Sequence, residues 1–211
     1  MSTRSTAPSV EIVTPHGPAV AEIDEAPSPR FLLLLTHGSA GGVESADLLA
    51  VRDAVTGIGG TVARVLQPFR LRGARAPGSA VKQDESWTAL AADLRSRYPG
   101  LPLVQGGRSN GARVACRTAV AAGAEAVVAL AFPLHPPGRP ERSRVGELRA
   151  AGVDVLAVSG ERDRFGVPAA ADVSCLVVLP GEGHDLNRDP ARVGETVARW
   201  LEARTRPGSG R

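Results

Sequence analysis

What most constrains the fold of this chain is its rhythm. Short apolar runs ended by polar residues, glycine or proline alternate with segments whose apolar residues recur at helical spacing. Phe31–Thr36 is such a run, closed by His37 and Gly38. It lacks polar alternation, as a strand covered on both faces does. Residues 101–105, 126–134, 153–159 and 175–179 read the same way, and residues 61–69 are strand-like. Helix-like stretches separate them: residues 45–55, 84–98 with Asp84 as N-cap, Ala-rich 110–122, 143–151 and 190–203, with a helical turn over 169–173. Residues 10–14 and 20–23, split by Pro15 to Pro18, read as a hairpin at a sheet edge. Together they predict the α/β class, a doubly wound, mostly parallel sheet of about eight strands with helices on both faces. One domain over residues 9–205 is expected, with disordered ends at 1–8 and 206–211.

Composition narrows the function classes. With 211 residues, 43% hydrophobic and 22% charged, the chain is an ordinary globular length and mixture. No window approaches the ~18 apolar residues of a membrane helix. Of the 25 basic residues 24 are Arg, with Lys82 alone, and they are scattered rather than gathered in a stripe. Aromatics are 3%, too few for base-stacking platforms, so no nucleic-acid partner and no membrane partner are expected. Cys116 and Cys175 are too far apart for a disulfide framework or zinc motif. With no apolar signal-peptide core in residues 1–9, this points to a cytoplasmic location. Oligomeric state is open.

In a doubly wound sheet, sites gather at the carboxyl ends of the strands. One such end carries Gly107-Arg108-Ser109-Asn110-Gly111, a G-x-S-x-G pattern between an apolar strand and a helix. That context lifts a serine above the sheet on a sharp turn, with flanking glycines to avoid Cβ clashes. A serine hydroxyl needs a base, and the base needs an orienting acid. His184, in Gly181-Glu182-Gly183-His184-Asp185 after the last strand, is the expected base. Asp163 is the expected acid, with Glu161 and Asp185 as rivals. The N–H of Asn110 and one from the Gly-rich loop 36–42, Ser39 rather than Ala40, are expected to hold an oxyanion. No P-loop lysine or dinucleotide fingerprint accompanies these glycines.

His37, Arg108 and His135 are the candidates for touching substrate. His135 could instead fix its Pro-rich loop, and Arg108 and Arg113 could instead form ion pairs. Cys116, Trp87 and Trp200 read as core. Residues 135–145 are the only place for a lid and are too short for a cap domain, so an open, shallow site is expected.

The sequence resembles the α/β-hydrolase superfamily. The resemblance rests on Leu35-Thr36-His37-Gly38, Gly106-Gly107-Arg108-Ser109, Phe132 to Gly138, Gly160-Glu161-Arg162-Asp163 and His184, over residues 31–205. It is similar to the small lidless dienelactone hydrolases. It is also similar to the family holding the hydrolase-like domain of a non-specific-lethal histone acetyltransferase complex subunit. The resemblance implies a Ser109–Asp163–His184 triad that needs no cofactor or metal. Where the family typically has Met-Gly-Gly after the serine, this chain has Asn110-Gly111-Ala112. The expected activity is hydrolysis of a small-molecule carboxylic ester, thioester or lactone. The alternatives are a non-catalytic interaction module on the same fold, and perhydrolysis or acyl transfer on the same triad.

Overall fold

A computed structural model describes residues 7–205 of the protein. The strands are β1 (Ser9–Ile12), β2 (Ala19–Asp24), β3 (Phe31–Thr36), β4 (Gly60–Leu66), β5 (Leu103–Arg108), β6 (Ala126–Leu130), β7 (Asp154–Gly160) and β8 (Cys175–Leu179). The helices are α1 (Ala46–Gly57), α2 (Pro68–Leu71), α3 (Ala80–Arg97), α4 (Asn110–Ala122), α5 (Val145–Arg149) and α6 (Pro190–Thr205). All eight strands form one sheet in the order β1-β2-β4-β3-β5-β6-β7-β8. The β1–β2 and β2–β4 pairs are antiparallel and the rest are parallel. From β3 the chain steps outward to β4, then returns to the other side of β3 as β5. The winding reverses there, which opens a crevice beyond the carboxyl ends of β3 and β5.

The unbroken apolar run of β3 has a direct cause. Leu32 and Leu34 face a core shared with Trp87, Leu90 and Leu94 of α3 and the Ala-rich face of α4. Phe31, Leu33 and Leu35 face the opposite core, with Leu48, Val51 and Val55 of α1 and Val193, Val197 and Leu201 of α6. Each fully buried side chain of this size contributes about 1.5–3 kcal/mol, so both faces favour the same register. The core of the first face also holds a polar pin. The side-chain oxygen of Gln105 accepts from Trp87 Nε1 at 2.9 Å, and its NH2 donates to the Ala115 carbonyl and Thr118 Oγ1.

Several boundaries differ from the sequence expectation. Helix α3 begins a turn before Asp84, and its N-cap is Ser79, whose hydroxyl accepts from the Lys82 N–H. Asp84 instead binds Arg117 of α4 at 2.6–3.2 Å. The buried apolar stripe starts only at Trp87, and Val81 of the first turn is exposed, so the pattern hid the true start. The strand expected over 126–134 stops at Leu130, because Ala131 turns with φ 44° and donates its N–H to Val158. The expected strand 61–69 ends at Leu66, where Pro68 opens α2. Residues 1–6 and 206–211 of the expected disordered ends lie outside the described residues. Pro8 is held in place, its carbonyl accepting from the Ile23 N–H at 2.9 Å.

Helices α1 and α6 approach closely through Gly194, where an added Cβ would overlap the carbonyl oxygen of Ala50. We expect Gly194→Ala to separate these helices and cost about 1–3 kcal/mol, read as a lower urea midpoint with unchanged slope.

Candidate active site

The Ser109 position is built by steric exclusion. Ser109 follows β5 directly and takes φ 54°, ψ −112°, which a side chain rarely adopts. Its N–H is anchored on the Leu130 carbonyl at 2.9 Å. A Cβ at Gly107 would lie 2.7 Å from the Gly111 backbone and 2.8 Å from the Thr36 carbonyl oxygen. One at Gly111 would lie 2.8 Å from the carbonyl oxygens of both Thr36 and His37. Only glycine fits at both positions, and the resulting contact presses the start of α4 against the end of β3. Strain of this kind costs about 1–3 kcal/mol and persists where surrounding contacts over-determine it.

Three side chains from separate strand ends meet here. His184 Nε2 lies 2.9 Å from Ser109 Oγ, and His184 Nδ1 lies 2.8 Å from Asp163 Oδ2. The second oxygen of Asp163 accepts from the Phe165 N–H at 2.8 Å, and the residue is 7% exposed. The partners set the tautomer: Nδ1–H donates to the carboxylate, leaving the Nε2 lone pair toward the hydroxyl. The ring of Phe165 packs on the imidazole with centroids 4.3 Å apart. Glu161, one rival acid, instead accepts from the Gly181 N–H at 2.8 Å. Asp185, the other, turns outward to Arg108.

The loop after β3 runs alongside the hydroxyl. A Cβ on Gly38 would sit 3.2 Å from Ser109 Cβ and 3.8 Å from its Oγ. Gly38, Ser39, Ala40, Ser109, Asn110 and His184 border one cleft of about 460 Å³. Asn110 opens α4 beside the cleft, so its N–H has no intrahelical acceptor and lies at the positive end of the helix dipole. Its side chain donates to Gln83 Oε1 at 2.7 Å, and Gln83 in turn donates to the Gly78 and Ser79 carbonyls. The polar Asn110 side chain thus ties the elbow to the segment before α3.

Two substrate-contact expectations need correction. His37 is 1% exposed and does not border the cleft. Its Nδ1–H donates to the Gly38 carbonyl and its Nε2 accepts from the Gln67 N–H at 3.1 Å. Burial pushes its pKa down to about 4, so it stays neutral and clamps the loop after β3 to the segment after β4. His135 donates from Nδ1 to the Pro136 carbonyl, its Nε2 faces Gly166, and it too is absent from the cleft wall.

Arg108 does border the cleft, but its charge is spent. Its Nε is 3.6 Å from Asp47 Oδ2 and its Nη1 is 3.2 Å from Asp185 Oδ1, with the Asp185 carbonyl at 3.4 Å. Burial holds the Asp47 carboxyl above the usual carboxylate range, and the facing guanidinium offsets only part of that shift. Arg108 therefore joins the start of α1, the elbow and the His184 loop. Arg113 is likewise held by Glu147 at 2.6 and 2.9 Å. Sequence reading missed Asp47, Gln83 and Glu182. The Glu182 carboxylate is buried within the histidine loop and accepts from the Arg188 and Asp189 N–H groups. The adjacency of Glu182 and Asp185 to His184 was the only available signal.

Residues 29–195 match the family described as Alpha/beta hydrolase domain. Among solved structures, an alpha-beta serine hydrolase homologue from Coxiella burnetii superposes with TM-score 0.78 at 17% identity, over 95% of this chain and 100% of that one. An a/b serine hydrolase without lid from Xanthomonas campestris gives 0.74 at 20% identity over the whole of both chains. Est1E from Butyrivibrio proteoclasticus gives 0.74 at 18% identity, over 92% of this chain and 97% of that one. No functionally curated protein matches the chain in sequence.

Cutting the Arg108 tie tests its positioning role. We expect Arg108→Gln to slow covalent labelling of Ser109 by a fluorophosphonate about tenfold, roughly 1.4 kcal/mol in barrier, while Arg108→Lys recovers part of the rate. Equal rates in all three proteins, by gel fluorescence against time, would remove Arg108 from the site's support.

Proposed function

Because the chain belongs to the alpha/beta hydrolase family, with a lidless fold, we propose that it is a serine hydrolase cleaving a carboxylic ester, thioester or lactone. The observation that carries this reading is the continuous chain Ser109 Oγ, His184, Asp163, at 2.9 and 2.8 Å, beside an open cleft. The distances suit proton transfer without rearrangement.

In this mechanism the substrate carbonyl carbon meets Ser109 Oγ while His184 Nε2 takes the hydroxyl proton. Asp163 stabilises the imidazolium through the Nδ1–H bond and remains ionised. The carbonyl oxygen becomes an oxyanion that accepts from the Asn110 N–H and from an N–H of the 38–40 loop, which we assign to Ser39. Collapse expels the alcohol, thiol or ring oxygen, which receives the proton from His184. Water then enters, loses a proton to the same nitrogen, and releases the acid from Ser109. Every step uses groups of this chain and water. The resemblance to small dienelactone hydrolases and the compact, capless cleft both favour a small substrate.

A fluorophosphonate should label the wild type and leave Ser109→Ala unlabelled. On p-nitrophenyl acetate, Asp163→Asn should lower kcat by about 10³–10⁴-fold, because the wrong imidazole tautomer then faces the serine. Labelling that persists in Ser109→Ala would end the assignment. If no ester in a chain-length series turns over and the wild type also escapes the probe, the interaction-module alternative gains.

A further inference from the structure

The cleft beside Ser109 is bordered by Arg108, Arg113, Arg144 and Arg164, against one acidic residue, Asp185. The first two are neutralised, as described above. The other two are not: among the described residues no carboxylate lies within ion-pair distance of Arg144 or Arg164.

Four acids near them in sequence or at the cleft are already committed. Glu147, three residues after Arg144, is taken by Arg113 through two bonds and by Arg117 at 3.3 Å. Asp163 serves His184 and the Phe165 N–H. Glu161 serves the Gly181 N–H, and Asp185 serves Arg108. Arg144 is half-buried at the entry to α5, with its N–H on the Leu134 carbonyl. Burial and repulsion from Arg113 push its pKa down; Glu147 offsets part of that shift and Arg117 adds to it. Arg164 lies over the Phe165 ring, 5.1 Å from its centroid, and that ring lies against His184. The same cleft wall has an apolar part: Pro133, Pro137 and Phe165.

We propose that Arg144 and Arg164 form an anion subsite of the catalytic cleft, so that the substrate is an ester carrying a second, anionic group, a carboxylate or a phosphate. The proposal rests on the hydrolase reading for the ester but not for the anion. The guanidinium forks supply paired donors that suit either oxyacid. The apolar wall accepts the short body that joins the anion to the scissile carbonyl. The site's openness leaves the charges partly hydrated, which sets the gain at a moderate level.

The test measures binding apart from turnover. The Ser109→Ala protein is titrated calorimetrically at low salt with monomethyl glutarate, with 1-acetylglycerol 3-phosphate and with neutral dimethyl glutarate. At least one anionic ester should bind about fivefold or more tightly than the neutral one, and the better anion identifies carboxylate or phosphate. Added salt should erode that preference. The double variant Arg144→Gln/Arg164→Gln, made in the Ser109→Ala background, should abolish it, and the Lys/Lys counterpart should restore part of it. Equal affinity for all three esters, or a preference that survives the Gln pair, overturns the anion subsite. Fluorophosphonate labelling of the wild type reports separately on the hydrolase reading. Loss of labelling with retained anion preference would overturn the chemistry and keep the subsite.

Discussion

Everything at the cleft depends on how closely the backbone after β5 can approach the backbone after β3. Gly107 and Gly111 sit where any side chain would collide with the Thr36 carbonyl, and at Gly111 with that of His37 as well. With that contact made, the turn between them must lift Ser109 into its strained conformation, and α4 starts immediately behind it. The same approach brings Gly38 alongside the hydroxyl. The raised serine, the helix end that faces it and the adjoining loop are thus three results of one packing event. The polar supports act on this frame. His37 joins the loop after β3 to the segment after β4, Gln83 joins the elbow to the segment before α3, and Arg108 joins the elbow to α1 and the histidine loop.

The parts of this arrangement that sequence reveals are those carried by local pattern. An apolar run with no alternation implies a strand buried on both faces, and β3 meets that condition through two separate cores. Glycines at fixed offsets from a serine imply a tight strand-to-helix turn, because the requirement is steric and lies within five residues. The order of serine, acid and histidine along the chain follows from the winding of the sheet. Asp163, not Glu161, reaches His184 for a geometric reason that sequence only hints at: the glutamate lies nearer the strand, and its carboxylate accepts from the Gly181 N–H.

What sequence hid depends on contacts between distant segments. His37 and His135 look like site residues because both follow strands, yet each ring is committed to nearby backbone. Asp84 resembles a helix cap in isolation, but Arg117, a full helix away, captures it. For the arginines the same rule decides which charges remain available. In a chain with so many guanidinium groups, type and position say little. The allocation of a few carboxylates among them determines the electrostatics of the cleft, and that allocation exists only in three dimensions.

The lack of a cap has a consequence for any covalent intermediate formed on Ser109. With residues 131–144 forming only a short border and no canopy, the acylated serine would stand in direct reach of the solution. Its fate would then be a competition decided outside the protein, by the abundance and nucleophilicity of whatever diffuses in. Water wins by sheer concentration. A well-matched alcohol, amine or peroxide held at the rim would divert the acyl group, so the partition between cleavage and transfer is governed by surroundings as much as by the fold.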